Sequence, residues 1–111
     1  MQVYFEKKSD KLIISLIGEL DHHSAEEARV KIDDEIDKEN IKKVILDFEG
    51  VTFMDSSGIG AVVGRYKKVN SKGGSFCVTG IKNGVYKVFE ISGLFKIIKS
   101  YDSIREALKC I

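Results

Sequence analysis

Val3 and Phe5 alternate with polar neighbours, a polar turn of Lys7, Lys8, Ser9 and Asp10 follows, and residues 12–17 are then almost continuously apolar. This pattern predicts a β-hairpin whose second strand ends at Gly18. Ser24 followed three residues later by Glu27 has the form of a capping box, and Ala25, Ala28, Ile32 and Ile36 share one helical face, so a helix is expected over 24–37. Val44, Ile45, Leu46, Asp47 and Phe48 form a short run without alternation, as in a strand covered on both faces. After a link over 49–53, Ile59, Val62, Val63, Tyr66 and Val69 recur at helical spacing up to Asn70, with Gly73 and Gly74 closing the unit. Residues 75–79 read as a strand. Residues 83–92 read as a helix carrying Val85, Val88 and Phe89, with Gly93 where a helix C-terminus favours glycine. A last strand is expected over 96–101, and Ser103 with Glu106 repeats the capping pattern ahead of Ile104, Ala107 and Leu108.

The order is ββαβαβαβα, and no linker, repeat or low-complexity segment divides it. One α/β domain over 1–111 is expected, with a mixed sheet of about five strands and about four helices. Strands joined through helices run parallel, which places the strand-to-helix loops on one edge of the sheet. Residues 18–23, 49–57 and 80–83 therefore share an edge, where ligand and partner contacts collect in such folds.

Composition narrows the function. Hydrophobic residues make up 43 % and charged residues 32 % of the 111, near globular averages, so one core can hold the chain without disulfides or metal. Eighteen basic residues against seventeen acidic give a net charge of +1 with the signs interspersed. A nucleic-acid surface, which shows a basic excess on one face, is not expected. Cys77 and Cys110 lack the spacing of a zinc or redox motif and read as reduced thiols of a cytoplasmic protein. No apolar run approaches the ~20 residues of a membrane span, and no secretory signal is evident, so no membrane association is expected.

Chemistry concentrates in Met54, Asp55, Ser56, Ser57, Gly58, Ile59 and Gly60, where two hydroxyls stand at a helix start. Asp55 or Ser56 could simply cap the helix. Gly58, Gly60 and Gly64 each cost ~1 kcal/mol against Ala in a helix interior, so something must offset them. Packing on the sheet is one explanation, suited to Gly64, and close approach of another protein to Ser56 is one suited to Gly58 and Gly60. A serine hydrolase would need a base, for which His22 and His23 are the only histidines, and the stretch does not match the GxSxG elbow. The glycines do not fit a dinucleotide or phosphate-loop motif either. His22 and His23 lack a third ligand at metal spacing, so they are read as opening the first helix, with no metal or other cofactor expected. Asp21 beside them is either a second cap or a charge offered to a basic partner.

Gly18-Glu19-Leu20-Asp21-His22-His23, then Phe53-Met54-Asp55-Ser56-Ser57-Gly58-Ile59-Gly60 with Gly64-Arg65-Tyr66-Lys67, and finally Ser92-Gly93-Leu94-Phe95-Lys96-Ile97-Ile98, closely resemble the anti-sigma factor antagonists of the STAS domain family. The resemblance spans essentially the whole chain and points to the sporulation branch. It implies a STAS-type fold and a non-enzymatic protein that binds, when unphosphorylated, an anti-sigma factor that is also a serine kinase, thereby releasing a sporulation sigma factor. The kinase would phosphorylate Ser56, the first serine after the motif aspartate, and a dedicated phosphoserine phosphatase would restore the active form. Asp21 matches an aspartate that contacts a basic residue of the kinase, and Asp55, Ser57, Gly58 and Gly60 are expected at the same surface. A general-stress sigma factor pathway is the alternative within the family, and a small nucleotide-binding or NTP-hydrolysing domain, using the α-helix start at Ser56 as an anion site, is the alternative outside it.

Overall fold

The computed structural model describes residues 1–111. Its elements are β1 (Gln2–Lys8), β2 (Lys11–Leu20), α1 (Ala25–Glu39), β3 (Lys43–Met54), α2 (Ser56–Ser71), β4 (Ser75–Thr79), α3 (Asn83–Ser92), a 3-10 turn (Leu94–Lys96), β5 (Lys99–Tyr101) and α4 (Ile104–Cys110). One sheet of five strands runs in the order β1-β2-β3-β4-β5. β1 and β2 form an antiparallel hairpin, and β2 to β5 are parallel. The expected ββαβαβαβα order and mixed sheet are both present.

The main core lies on one face of the sheet. Leu12, Ile14 and Leu16 of β2, with Val44, Leu46 and Phe48 of β3, pack against Ala28, Ile32 and Ile36 of α1, Val62 and Val69 of α2, and Val85 and Phe89 of α3. Phe48 meets Phe89 edge to face, centroids 5.3 Å apart. The opposite face buries Ile13, Ile45 and Cys77 beneath Ala107 of α4. β3 is thus covered on both sides at its centre, which is why its apolar run does not alternate. Full burial of each such side chain contributes ~1.5–3 kcal/mol, so this central strand anchors everything around it. The α1–α2 seam is closed by charge as well. Arg65 Nε lies 2.9 Å from Asp33, and Lys68 and Lys72 reach Asp37 at 2.9 and 3.7 Å.

The structure departs from the sequence pattern at four places. Residues 49–53 are not a link but the continuation of β3 to Met54, because β2 also runs on past Gly18 to Leu20 and pairs with them. Two register shifts, one at Gly18 with φ +118°, absorb the misfit, and since β4 stops at Thr79 this last stretch is a two-stranded ribbon. Ser24 does not form the capping box, as its hydroxyl donates to the Glu19 carbonyl at 2.6 Å instead of capping α1. Ser103, by contrast, accepts from the Glu106 amide at 3.1 Å as expected. The last strand is shortened to Lys99–Tyr101, because Gly93 turns the chain in the left-handed region and Leu94–Lys96 form a 3-10 turn that delivers Leu94 and Ile98 to the core.

Candidate functional site

Because β2, β3 and β4 are parallel, the residues that follow them emerge on one edge, and the loop after β2 meets the start of α2 there. Asp55 makes the join. Its backbone is extended (φ −116°, ψ −168°), the geometry of an N-cap residue, and its Oδ1 accepts from the Ser57 amide at 2.9 Å and the Gly58 amide at 3.3 Å. Its Oδ2 accepts from the His22 amide at 3.2 Å, and its own amide donates to the Leu20 carbonyl at 3.3 Å. One carboxylate therefore caps α2 and holds the β2–α1 loop against it. Of the two candidate caps, Asp55 takes the role and leaves Ser56 free of it.

Asp21 organises the facing loop. Its Oδ1 accepts from the His23 and Ser24 amides at 2.9 and 3.1 Å, fixing the turn that leads into α1. Partial burial pushes the Asp21 carboxyl up, but the hydrogen bonds from His23 and Ser24 outweigh it and hold the group below its ordinary value. Asp21 remains half-exposed at the mouth of the loop, so these bonds do not remove its charge from the surface. The His22 and His23 rings lie with centroids 3.9 Å apart, tilted 40° to one another, and His22 Nδ1 stands 3.9 Å from Asp55 Oδ2.

Ser56 occupies the first position of α2, exposed, and its hydroxyl makes no hydrogen bond within the chain. No base touches it, so nothing in the chain activates it as a nucleophile. Ser57 is half-buried and turned toward α1. Gly58 requires a correction. A Cβ there would stand 2.7 Å from the Leu20 carbonyl oxygen and collide with Met54, so this glycine is needed for α2 to seat on the strand ends and is buried, not open to an approaching protein. Gly60 is exposed, with nothing within 4 Å of its Cβ direction. Gly64, which the sequence suggested as the close-packed position, has nothing within 4 Å of its Cβ direction.

Sequence reasoning gave no role to Arg29 and Arg65, which the fold brings together beside Ser57. Arg29 binds Glu26 at 2.6 Å and reaches Asp33 at 3.4 Å, while Arg65 approaches the same Asp33 from α2. Within α1 the spacing of Glu26, Arg29 and Asp33 was visible, but the meeting with Arg65 depends on how two helices pack.

Comparison with known proteins agrees with this geometry. The STAS domain profile matches residues 2–107. The anti-sigma F factor antagonist of Paenibacillus polymyxa is 39 % identical over 108 residues, covering 97 % of this chain and 92 % of that one. The unphosphorylated form of the anti-sigma factor antagonist SpoIIAA superposes with a TM-score of 0.82 at 34 % identity, covering 96 % of this chain and 93 % of the other. Phosphorylated SpoIIAA, the Bacillus cell fate determinant, superposes with a TM-score of 0.75 at 33 % identity, covering 97 % of each. Anti-sigma factor antagonists of this fold are non-catalytic regulatory domains. Matched along nearly its whole length in sequence, and in fold to both phosphorylation states of one relative, the chain belongs to the STAS domain family as one of its anti-sigma factor antagonists.

Proposed function

We propose that the unphosphorylated chain binds an anti-sigma factor that is itself a serine kinase, so releasing a sporulation sigma factor in the cytoplasm, and that phosphorylation of Ser56 by that kinase ends the interaction until a phosphoserine phosphatase reverses it. The observation that carries this reading is the contrast between two adjacent hydroxyls. Neither hydroxyl is hydrogen-bonded within the chain, but Ser56 is exposed at the start of α2, with the Asp55 carboxylate turned to cap the helix, whereas Ser57 is half-buried at the groove beside α1. Asp21, on the loop tied to Asp55 through His22, offers a charge at the same sheet edge to a basic group of the kinase. The likeness to anti-sigma F factor antagonists supports the sporulation assignment.

A phosphate on Ser56 adds about −1.5 to −2 charge at pH 7, which the α2 dipole favours by ~0.3–1 kcal/mol. Repulsion from Asp55 is of similar size in water, ~1 kcal/mol per pair of unit charges at ~4 Å. Neither approaches a folding stability of ~5–15 kcal/mol, so the domain persists. A dianion placed in an interface shaped for a hydroxyl costs several kcal/mol of desolvation, and every ~1.4 kcal/mol is tenfold in affinity. The switch thus acts on the interface, not on the fold. Incubation with the anti-sigma F kinase and ATP, followed by intact-mass and fragment analysis, tests the assignment. One phosphate on Ser56 is expected, and none on Ser56→Ala. Stoichiometric phosphate on that variant, or on Ser57 of the parent chain, refutes it.

A further inference from the structure

Beside Ser57 a groove of about 260 Å³ runs between α1 and α2, bordered by His22, Glu26 and Arg29 on one side and by Ser57, Gly60 and Arg65 on the other. Both helices follow parallel strands, so the groove lies between the N-terminal halves of the two longest helices, where their dipoles are positive. The Asp55 carboxylate meets this charge at the start of α2, and Glu26 and Glu27 meet it in the first turn of α1. At the floor, the Arg65 side chain is only 9 % exposed. Its Nη1 donates to the Ala61 carbonyl at 3.2 Å, and its Nε lies 2.9 Å from Asp33 Oδ1 at an angle that makes no hydrogen bond, leaving both atoms without one. No acceptor in the chain meets its Nη2. Asp33 is also shared with Arg29, whose guanidinium is otherwise held by Glu26. Burial, with repulsion from Arg29, outweighs the attraction of Asp33 and Glu26 and holds Arg65 below its ordinary value.

We propose that this groove receives the carboxylate side chain of an Asp or Glu on the kinase that docks over Ser56, an inference that rests on the functional reading above. The volume lies below the ~300–1,000 Å³ typical of small-molecule sites and suits a single side chain. Gly60, exposed and with no neighbour in its Cβ direction, keeps the mouth open, and the groove is continuous with the Ser56 surface through Ser57. Asp21 on one side and the arginine groove on the other then form a two-point charge pattern. A partner must offer a cation and an anion in the matching order, which fixes its orientation.

The test is a double-mutant cycle by calorimetric titration against the kinase. Arg29→Gln is the first variant, since the residue is half-exposed and its loss leaves the core intact, and Gly60→Leu, which fills the mouth, is the second. Each is paired with a set of kinase variants carrying single Asp→Asn or Glu→Gln changes. Each groove variant should weaken binding about tenfold or more, and one kinase carboxylate should couple to Arg29, its amide variant costing nothing further once Arg29 is Gln. A parent complex that forms while no kinase carboxylate couples to Arg29 overturns the groove proposal and leaves the functional reading intact. No complex with the parent chain overturns both. Parallel NMR titration with ATP and with inorganic phosphate follows the Arg29 and Arg65 Nε–H signals. Saturable shifts there without kinase would overturn the protein carboxylate in favour of a phosphate ligand.

Discussion

Substituting Ala for Gly at two places on α2 should change stability in opposite directions. At Gly64 the added methyl meets nothing within 4 Å, so only the helix propensity changes, a gain of ~1 kcal/mol. At Gly58 the methyl stands 2.7 Å from the Leu20 carbonyl oxygen and 3.1 Å from Leu20 Cγ, besides overlapping Met54. The Met54 side chain can move aside, but the Leu20 carbonyl cannot, because it accepts the Asp55 amide at 3.3 Å and belongs to the β2–β3 ribbon. Overpacking of this kind costs ~1–3 kcal/mol, and the propensity gain in a first turn offsets only part of it, so Gly58→Ala should lose about 1–2 kcal/mol. Urea unfolding at fixed pH resolves differences of this size, and each kcal/mol corresponds to roughly 4 °C in Tm for a chain this long. Gly58→Ala should also lift the start of α2 and slow phosphorylation of Ser56 relative to the parent. A Gly58→Ala protein as stable as the parent, or a destabilised Gly64→Ala protein, would refute the packing described for α2.

Phosphorylated Ser56 should weaken binding to the kinase by about a hundredfold or more while amide NMR shifts stay confined to the strand-end loops and the first turn of α2. Shifts spread through the sheet would show a conformational switch instead. Asp21→Asn should weaken kinase binding at low salt, with the difference shrinking as salt is raised, and equal affinities at low ionic strength would remove Asp21 from the interface. Since the folded-state value of Asp21 lies below its ordinary one, its contribution to stability is complete at neutral pH and is lost as the pH falls through that lowered value. The His23 and Ser24 amide signals should report this in an acid titration, and no movement below pH 4 would contradict these hydrogen bonds. Burial pushes the Cys77 thiol up to about 12, whereas Cys110 is exposed, so iodoacetamide should label Cys110 in the native protein and Cys77 only after unfolding.

Much of this was written in the chain. β4 and α3 have the bounds their periodicity implied, and Ser56 stands where the Asp-Ser-Ser-Gly stretch placed it. The far half of β3 was not legible, because Glu49, Gly50 and Thr52 interrupt the apolar run, and a ribbon paired only with β2 needs no continuous one. The cap of α1 misled for a different reason. Ser24 and Glu27 fit the local rule, but the Ser24 hydroxyl is drawn back to the Glu19 carbonyl and the Ser24 amide to Asp21, in a loop held by Asp55, 34 residues beyond Asp21. Gly58 and Gly64 look equivalent in a sequence, and only the position of the Leu20 carbonyl separates them. Arg65 falls in the same class, since its neighbours Asp33 and Arg29 are brought to it by helix packing and by no spacing within α2.

The Asp55 carboxylate, shared between the Ser57 and Gly58 amides on one side and the His22 amide on the other, has a consequence for motion. Were the two attachments made by separate side chains, the loop and the helix end could open independently. A single side chain cannot rotate away from one set of donors while keeping the other, so fraying of α2 and release of the loop become one concerted event. This strand-end edge therefore behaves in time as a single unit, and local opening there costs both sets of bonds together. Amide exchange at positions 22, 57 and 58 should accordingly proceed with one common opening rate, a signature of synchrony that no static feature of the surface would reveal.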